Sequence, residues 1–215
     1  MNRVRVLVIM LSSFFFQMTK AQTTTPGLFS TTNFTVVNRS IAITKNEGKT
    51  VVHMDGREDN GVAWINKINF TTGIIELDVK GKDVVQHSFV GIAFHGINDT
   101  SYDAVYFRPF NFNSPDAARA AHAVQYISMP KYDWFYLREN FPGKYENALT
   151  SPVDANNWFH VRIVVDTDKI EVFVNDDARP ALSIKPLNKY STGKIGFWVG
   201  NTSDGDFSNL TIKNK

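Results

Sequence analysis

Along most of the chain, apolar and polar residues alternate in short runs that end at turn residues, which is the pattern of half-buried β-strands. The segment 72–79 shows this alternation most clearly, because Ile75, Leu77 and Val79 fall on one face while charged side chains fall on the other. We therefore expect this segment to have one packed face and one face toward solvent.

The same pattern predicts strands from the first third of the chain to its end. They are Ser40–Thr44, Thr50–Met54, Gly61–Ile65, Thr72–Val79, Ser88–His95, Ala104–Phe110, His122–Ser128, Trp134–Arg138, Trp158–Asp166, Lys169–Val174, Ala181–Ile184, Lys194–Val199 and Phe207–Ile212. Thr167 and Asp168 are predicted to form a hairpin turn between two of them. About a dozen short strands at this spacing predict an all-β, two-sheet antiparallel sandwich.

Helical periodicity is nearly absent, and one segment departs from the strand pattern. Ser114–His122 reads SPDAARAAH, with Ser114 suited to an N-cap and Pro115 to the first helical position. We predict one short helix there, inside a long loop.

The first residues have the layout of a secretory signal peptide. Arg3 and Arg5 precede an apolar run over 6–16, and small residues lead up to a cut after Ala21. The run is too short to span a bilayer, which needs roughly 20 apolar residues. The sequence therefore predicts that residues 1–21 are removed and that a single domain, residues 22–215, is secreted or periplasmic in a bacterium.

Charge and cysteine content exclude several function classes. Export removes Arg3, Arg5 and Lys20 and no acidic residue, so the mature chain has twenty basic and twenty-one acidic residues. No basic run remains to indicate binding to nucleic acid or to an anionic membrane. The chain has no cysteine, which excludes disulfides, thiol catalysis and thiolate metal sites.

The C-terminal third carries a recognisable layout of strand motifs. These are WFHV at Trp158–Val161, IEVFVN at Ile170–Asn175, GKIGF at Gly193–Phe197 and FSNLTI at Phe207–Ile212. Together with the earlier strands they resemble the concanavalin A-like lectin/glucanase superfamily, in particular laminin-G-like modules and the bacterial 3-keto-disaccharide hydrolase-like family. The resemblance implies a concanavalin-like jelly roll. The resemblance does not indicate one activity, because lectins, hydrolases, lyases and adhesion modules all share that fold.

The segment 95–147 combines aromatic and planar polar side chains more densely than the rest of the chain. Sugars present apolar C–H faces and a rim of hydroxyls, so their sites pair aromatic platforms with multidentate polar groups. The residues predicted to bind such a ligand are Tyr106, Arg108, Gln125, Trp134 and Arg138. The alternative interpretation is that this set forms core and structural ion pairs.

Acid–base chemistry in the same segment would use Glu139, Glu146 and His122. A second acidic pattern begins at Glu76 and Asp78. Family-16 glucanases on this fold use a Glu-x-Asp-x-(x)-Glu strand, but Lys80 stands where the last acid belongs. A solvated strand face is the better interpretation of that segment.

No cofactor is predicted. Two oxygen-rich segments, Asp55–Asn60 and Asp204–Asp206, are alternatives for calcium, but turn chemistry explains both. The sequence thus predicts a secreted domain that recognises a carbohydrate. The alternatives are a glycoside hydrolase or lyase acting on an oligo- or polysaccharide, and an adhesion or structural module.

Overall fold

The computed structural model describes residues 22–28, 30–46 and 48–215. The predicted signal peptide, residues 1–21, lies outside the described residues. The strands of the described chain are β1 (Gln22–Thr24), β2 (Phe34–Val37), β3 (Ile41–Asn46), β4 (Lys49–Met54), β5 (Gly61–Phe70), β6 (Gly73–Lys80), β7 (Val90–Gly96), β8 (Asp103–Phe107), β9 (Val124–Ser128), β10 (Glu146–Asn147), β11 (Phe159–Val165), β12 (Ile170–Val174), β13 (Leu182–Ile184), β14 (Gly193–Val199) and β15 (Gly205–Asn214).

These strands form two antiparallel sheets. The eight-stranded sheet has the order β13–β12–β11–β6–β15–β4–β3, with β1 also paired to β15. The seven-stranded sheet has the order β10–β9–β8–β7–β14–β5–β2. The short helices are α1 (Ala117–Ala120) and α2 (Trp134–Asn140), and 3-10 turns occur at Thr31–Asn33 and Pro109–Asn111.

The hydrophobic core fills the space between the sheets. Phe107 of β8 meets Phe159 of β11 with ring centroids 5.2 Å apart, and Phe197 of β14 stacks on Phe207 of β15 at 4.6 Å. Strand β6 alternates as its sequence predicts, with every second residue buried. Because both sheets supply inward side chains in this way, the predicted all-β sandwich is confirmed.

The predicted hairpin in the last third is confirmed as well. Strands β11 and β12 pair with Val165 opposite Ile170. The turn is closed by the Asp166 N–H, which donates to the Lys169 carbonyl at 2.8 Å.

One local prediction was wrong, and another was right only in part. The segment Trp134–Arg138 is not a strand but most of α2, which begins after Asp133, whose carboxylate accepts from the Tyr136 N–H at 2.7 Å. The helix predicted over Ser114–His122 is limited to α1, and Asp116 rather than Ser114 caps it. Strands β1, β2 and β10 were not predicted, because they are too short to show an alternation.

None of the helices in the described ranges combines the length and the apolar character needed to cross a bilayer.

Candidate functional site

A cleft lies on the face of the seven-stranded sheet that points away from the core. Since Phe107 points into the core, its neighbour Tyr106 points to the opposite face. Tyr106 and Trp198 stand on either side of Gly91 in the strand register, and their rings meet across this glycine at 4.8 Å. A Cβ at Gly91 would lie 2.6 Å from the Tyr106 Cα, so the aromatic floor depends on glycine there.

The cleft has a volume of about 490 Å³ and is walled by loops and both helices. Its lining combines aromatic, basic and amide side chains with a short stretch of backbone. The lining residues are Asn60, Val85, Gln86, His87, Phe89, Tyr106, Arg108, Phe110, Asn111, Arg119, His122, Trp134, Arg138, Trp198, Gly200, Asn201 and Thr202.

Arg108 is buried in the floor and is held on several sides. Its Nη1 donates to the His122 carbonyl at 2.9 Å and its Nη2 to the Tyr106 hydroxyl at 2.7 Å. Its guanidinium carbon lies 4.9 Å from the Tyr106 ring centroid and 5.6 Å from that of Phe89. The stacking and the hydrogen bonds fix this guanidinium in one orientation.

Gln125 of β9 stands opposite Tyr106 in the strand register, on the same face of the sheet, and is fully buried. Its Oε1 accepts from the Tyr106 hydroxyl at 2.6 Å and also from Arg108 Nη2. Its Nε2 has no hydrogen-bond partner among the described residues. Gln125 therefore positions Tyr106 and Arg108 from the side.

Glu146 of β10 is the buried anion of the site, and it pairs with Gln125 in the strand register. Its side chain is 3% exposed and it binds Arg138 in a bidentate manner, with Nε at 3.0 Å from Oε1 and Nη2 at 2.7 Å from Oε2. His122 Nδ1 lies 2.8 Å from Oε2, without the alignment of a hydrogen bond, and Arg108 Nη1 lies 3.7 Å away. One carboxylate thus joins three basic side chains.

Burial acts to raise the pKa of Glu146, but the Arg138 hydrogen bonds and the charges of Arg138, His122 and Arg108 outweigh it and hold that pKa below its usual range. The same hydrogen bonds raise the pKa of Arg138. The carboxylate is therefore ionised at neutral pH, which suits a structural anion and not a proton donor.

Helix α2 places an aromatic and a basic side chain on one wall. Trp134 and Arg138 are four residues apart and so share a helix face, where the guanidinium carbon lies 5.3 Å from the indole centroid. Trp134 is 48% exposed, whereas Leu137 is buried and fixes the helix on the domain. The result is a half-exposed indole next to an oriented guanidinium.

The predicted ligand-binding residues all gather at this site. Tyr106, Arg108, Trp134 and Arg138 line the cleft, and Gln125 is buried beside Tyr106. Their contact with a ligand stays a prediction.

Of the residues predicted for catalysis, the structure brings His122 and Glu146 into contact, and their catalytic role stays a prediction. His122 lines the cleft, Glu146 is buried beside it, and Glu139 is exposed on α2 without lining it. Glu76 lies on the outer surface of the other sheet, where it contacts Lys213. No aspartate or glutamate of the described chain lines the cleft, so two carboxylates do not flank a bound glycosidic bond there.

The oxygen-rich turns considered for calcium hold basic partners instead. Asp55 binds Arg57 at 3.0 Å, Asp204 binds Lys82 at 2.6 Å, and Asp206 contacts His53 at 2.7 Å. In the described parts of the chain no group of three His, Asp or Glu side chains is placed to share a metal ion. Calcium binding stays an untested alternative.

Several lining residues were missed by the sequence interpretation. Trp198 lies on a strand whose motif was assigned to folding alone, His87 and Phe89 come from the loop before β7, and Arg119 comes from α1. The basic side chain of the predicted short helix, Arg119, was the one available signal.

No protein-family model and no curated protein sequence matches this chain. It is similar to solved structures over most of its length. The carbohydrate binding module CBM66 from Bacillus subtilis is 16% identical with a TM-score of 0.57, covering 83% of this chain and 93% of that chain.

Two further structures share the arrangement. A Bacillus subtilis protein of unknown function with a galectin-like fold is 13% identical with a TM-score of 0.56, covering 86% of this chain and 90% of that chain. The exoplasmic/lumenal domain of VIP36, in its Ca²⁺/Man3GlcNAc-bound form, is 9% identical with a TM-score of 0.54, covering 88% and 86% respectively. At these identities the likeness establishes the fold: the chain has a concanavalin A-like jelly roll, as its resemblance implied.

Proposed function

We propose that this protein of the concanavalin A-like fold binds a glycan in the cleft on the outer face of its seven-stranded sheet. The observation that carries the proposal is the pairing of an exposed indole, Trp134, with the oriented guanidinium of Arg138 above an aromatic floor. Aromatic faces bind the apolar faces of sugar rings, and planar polar groups bind the hydroxyls around them.

The size of the cleft and the nature of the similar structures support the same function. Its volume of about 490 Å³ lies within the range of about 300–1,000 Å³ that is usual for small-molecule sites. Of the solved structures that are similar to this chain, one is named a carbohydrate binding module and another was solved with Man3GlcNAc bound.

Binding without hydrolysis is the form of the proposal that the site supports. The nearest acid, Glu146, is buried and bound by Arg138, and its lowered pKa makes it a poor proton donor at neutral pH. We therefore expect the protein to retain a glycan unchanged.

A glycan array probed with three forms of the protein tests this function. The wild type and Phe135→Ala are expected to bind the same glycans, because Phe135 is exposed beside Trp134 but does not line the cleft. Trp134→Ala is expected to weaken binding about tenfold or more, as truncation of a central tryptophan does at other binding sites. Unchanged binding by Trp134→Ala, or no glycan bound by the wild type, would contradict the proposal.

The array glycans should also be incubated with the wild type and analysed for shortened products. We expect none. New reducing ends or unsaturated sugars would favour the hydrolase or lyase interpretation instead.

The proposed place of action is outside the cytoplasm. Its support is the order of charged, apolar and small residues over 1–21, followed by a cysteine-free chain. Nothing in the binding proposal depends on the identity of the cell envelope compartment.

A further inference from the structure

The charged side chains that line the cleft are all basic. Three arginines, Arg108, Arg119 and Arg138, come from different elements, and two histidines, His87 and His122, lie between and beside them. No carboxylate of the described residues shares the lining. Binding of a neutral sugar does not require this excess of positive charge.

The buried carboxylate beside the floor neutralises only part of this charge. Among the described residues, Glu146 is the acid that contacts Arg138, Arg108 and His122, and the three share it. Two permanently charged guanidinium groups therefore face a single carboxylate. At least one positive charge remains in the floor before Arg119 is counted.

Donors also remain free to bind a ligand. Arg138 uses its Nε and Nη2 on Glu146, which leaves Nη1 without a protein acceptor among the described residues. Arg119 is exposed on α1 and forms no salt bridge with any described residue. A guanidinium with free N–H groups beside a cleft is suited to carboxylate and sulfate oxygens.

This concentration of charge is local. Residues 22–215 carry twenty lysines and arginines against twenty-one acidic residues, so the net charge of the domain supplies no general attraction for polyanions. A positive cleft on a nearly neutral domain selects for an anion that also fits its shape.

We propose that the glycan bound in the cleft is anionic, with a carboxylate or sulfate group held by Arg119 and Arg138 while its ring lies against Trp134. This inference rests on the proposed glycan-binding function and adds the chemical class of the ligand. Both candidate groups place an oxyanion on a sugar ring, planar in a carboxylate and tetrahedral in a sulfate. The two arms of the experiment below distinguish a carboxylate ligand from a sulfated one.

The test is calorimetric titration of the wild type with matched pairs of oligosaccharides. One arm compares oligogalacturonate with the same oligomer methyl-esterified, and the other compares a sulfated galacto-oligosaccharide with its desulfated form. In at least one arm the anionic member is expected to bind about tenfold more tightly, and this advantage is expected to shrink between about 50 and 200 mM NaCl.

Two variants identify the group that supplies the preference. Arg119→Gln is expected to lower affinity for the anionic member severalfold more than affinity for the neutral member. Lys185→Gln is the matched control, because Lys185 is an exposed base that does not line the cleft. Both positions are exposed, so both variants are expected to fold.

Each other outcome overturns the inference in a recognisable way. Equal or tighter binding of both neutral members would refute the anionic preference and leave the glycan-binding function standing. Equal binding of a short single-stranded oligonucleotide would show attraction by charge without recognition of a sugar. Binding of no member, together with an empty glycan array, would refute the glycan-binding function itself.

Discussion

Glu146 holds together three basic side chains that would otherwise repel one another in a confined space. Its carboxylate is 3% exposed and receives two hydrogen bonds from Arg138. Burying a charge is costly unless it is paired, and each partner here depends on the others for its compensation. The orientation of the cleft wall therefore depends on one buried residue that does not line the cleft.

Replacing this carboxylate by an amide tests its structural role. Glu146→Gln is expected to lower the free energy of unfolding by about 3 kcal/mol, because Arg108 remains buried without its counter-charge. Urea unfolding of the variant and the wild type at neutral pH measures the difference. Glu139→Gln is the control on exposed surface, and an equal loss in both would contradict the role assigned to Glu146.

A second acid–base contact, on the outer face of the other sheet, predicts a pH dependence. The hydrogen bond from His160, at 2.9 Å, is the largest cause that lowers the pKa of Asp78 from 3.8 to about 2, with further hydrogen bonds from Asn209 and Lys49. The same contact raises the pKa of His160 above its ordinary 6.5. The Asp78 contribution to stability is fully present above the ordinary Asp78 pKa of 3.8. The His160 contribution is fully present below the ordinary His160 pKa of 6.5.

The stabilisation by this pair is therefore largest between about pH 4 and 6.5 and is lost as the pH rises through the raised pKa of His160. His160→Gln is expected to destabilise the protein by about 0.5–1 kcal/mol at about pH 5.5, a value kept small by solvent screening. At about pH 9 the difference is expected to vanish. Urea unfolding at both pH values checks this, and a loss that does not change with pH would refute it.

Helix α2 forms one wall of the cleft. Asp133 caps its first turn, Leu137 fixes it on the domain, and Trp134 and Arg138 face the cleft. The helix has only seven residues, so its own backbone hydrogen bonds are too few to make it stable without these additional contacts.

Removal of the cap is expected to affect both stability and binding. Asp133→Ala is expected to cost about 1 kcal/mol of unfolding free energy, because the Tyr136 N–H loses its acceptor. It is also expected to weaken glycan binding, since Trp134 and Arg138 are then less well held. Asp133→Ser preserves a capping oxygen and should restore both properties; failure of the serine variant to do so would contradict the capping role.

Elements with a clear alternation could be predicted from sequence, and those defined by caps or by distant pairing could not. Strands β6, β11 and β12 show the alternation directly, and they occur as predicted. Trp134–Tyr136 favours a strand by intrinsic propensity, but the Asp133 cap and the burial of Leu137 decide for a helix. Strand β10 has two residues, so its pairing with β9 has no local signal.

The candidate site likewise has a part that a local sequence pattern predicts and a part that depends on contacts between distant segments. Tyr106 and Arg108 share a face because they are two residues apart on and just beyond one strand, which a pattern reveals. The contact of Glu146 with Arg138 and His122 arises from a helix, a loop and an edge strand that only the folded chain brings together. Trp198 reaches Tyr106 across Gly91 from a strand far along the sequence.

At the scale of the whole molecule, one sandwich without a disulfide separates its roles by sheet. The eight-stranded sheet carries ion pairs such as His160–Asp78 on its outer face, whereas the seven-stranded sheet carries the cleft. The near-zero net charge of the domain does not reveal the charge on either outer face, because acidic residues elsewhere on the domain balance the basic residues of the cleft.

Export is the prediction that belongs to this scale. Expression of the full chain in a bacterium is expected to give a protein outside the cytoplasm whose first residue is Gln22, because the signal pattern ends at Ala21. Intact-mass analysis of the periplasmic and culture fractions measures this. A cytoplasmic protein that retains Met1 would contradict it.

The most direct test of glycan binding in the cleft is a crystal structure of the protein with the tightest-binding array glycan. We predict a sugar ring in contact with Trp134, with polar groups of the ligand bound by Arg138. A glycan seated on the eight-stranded sheet, or one that leaves Trp134 without contact, would contradict it.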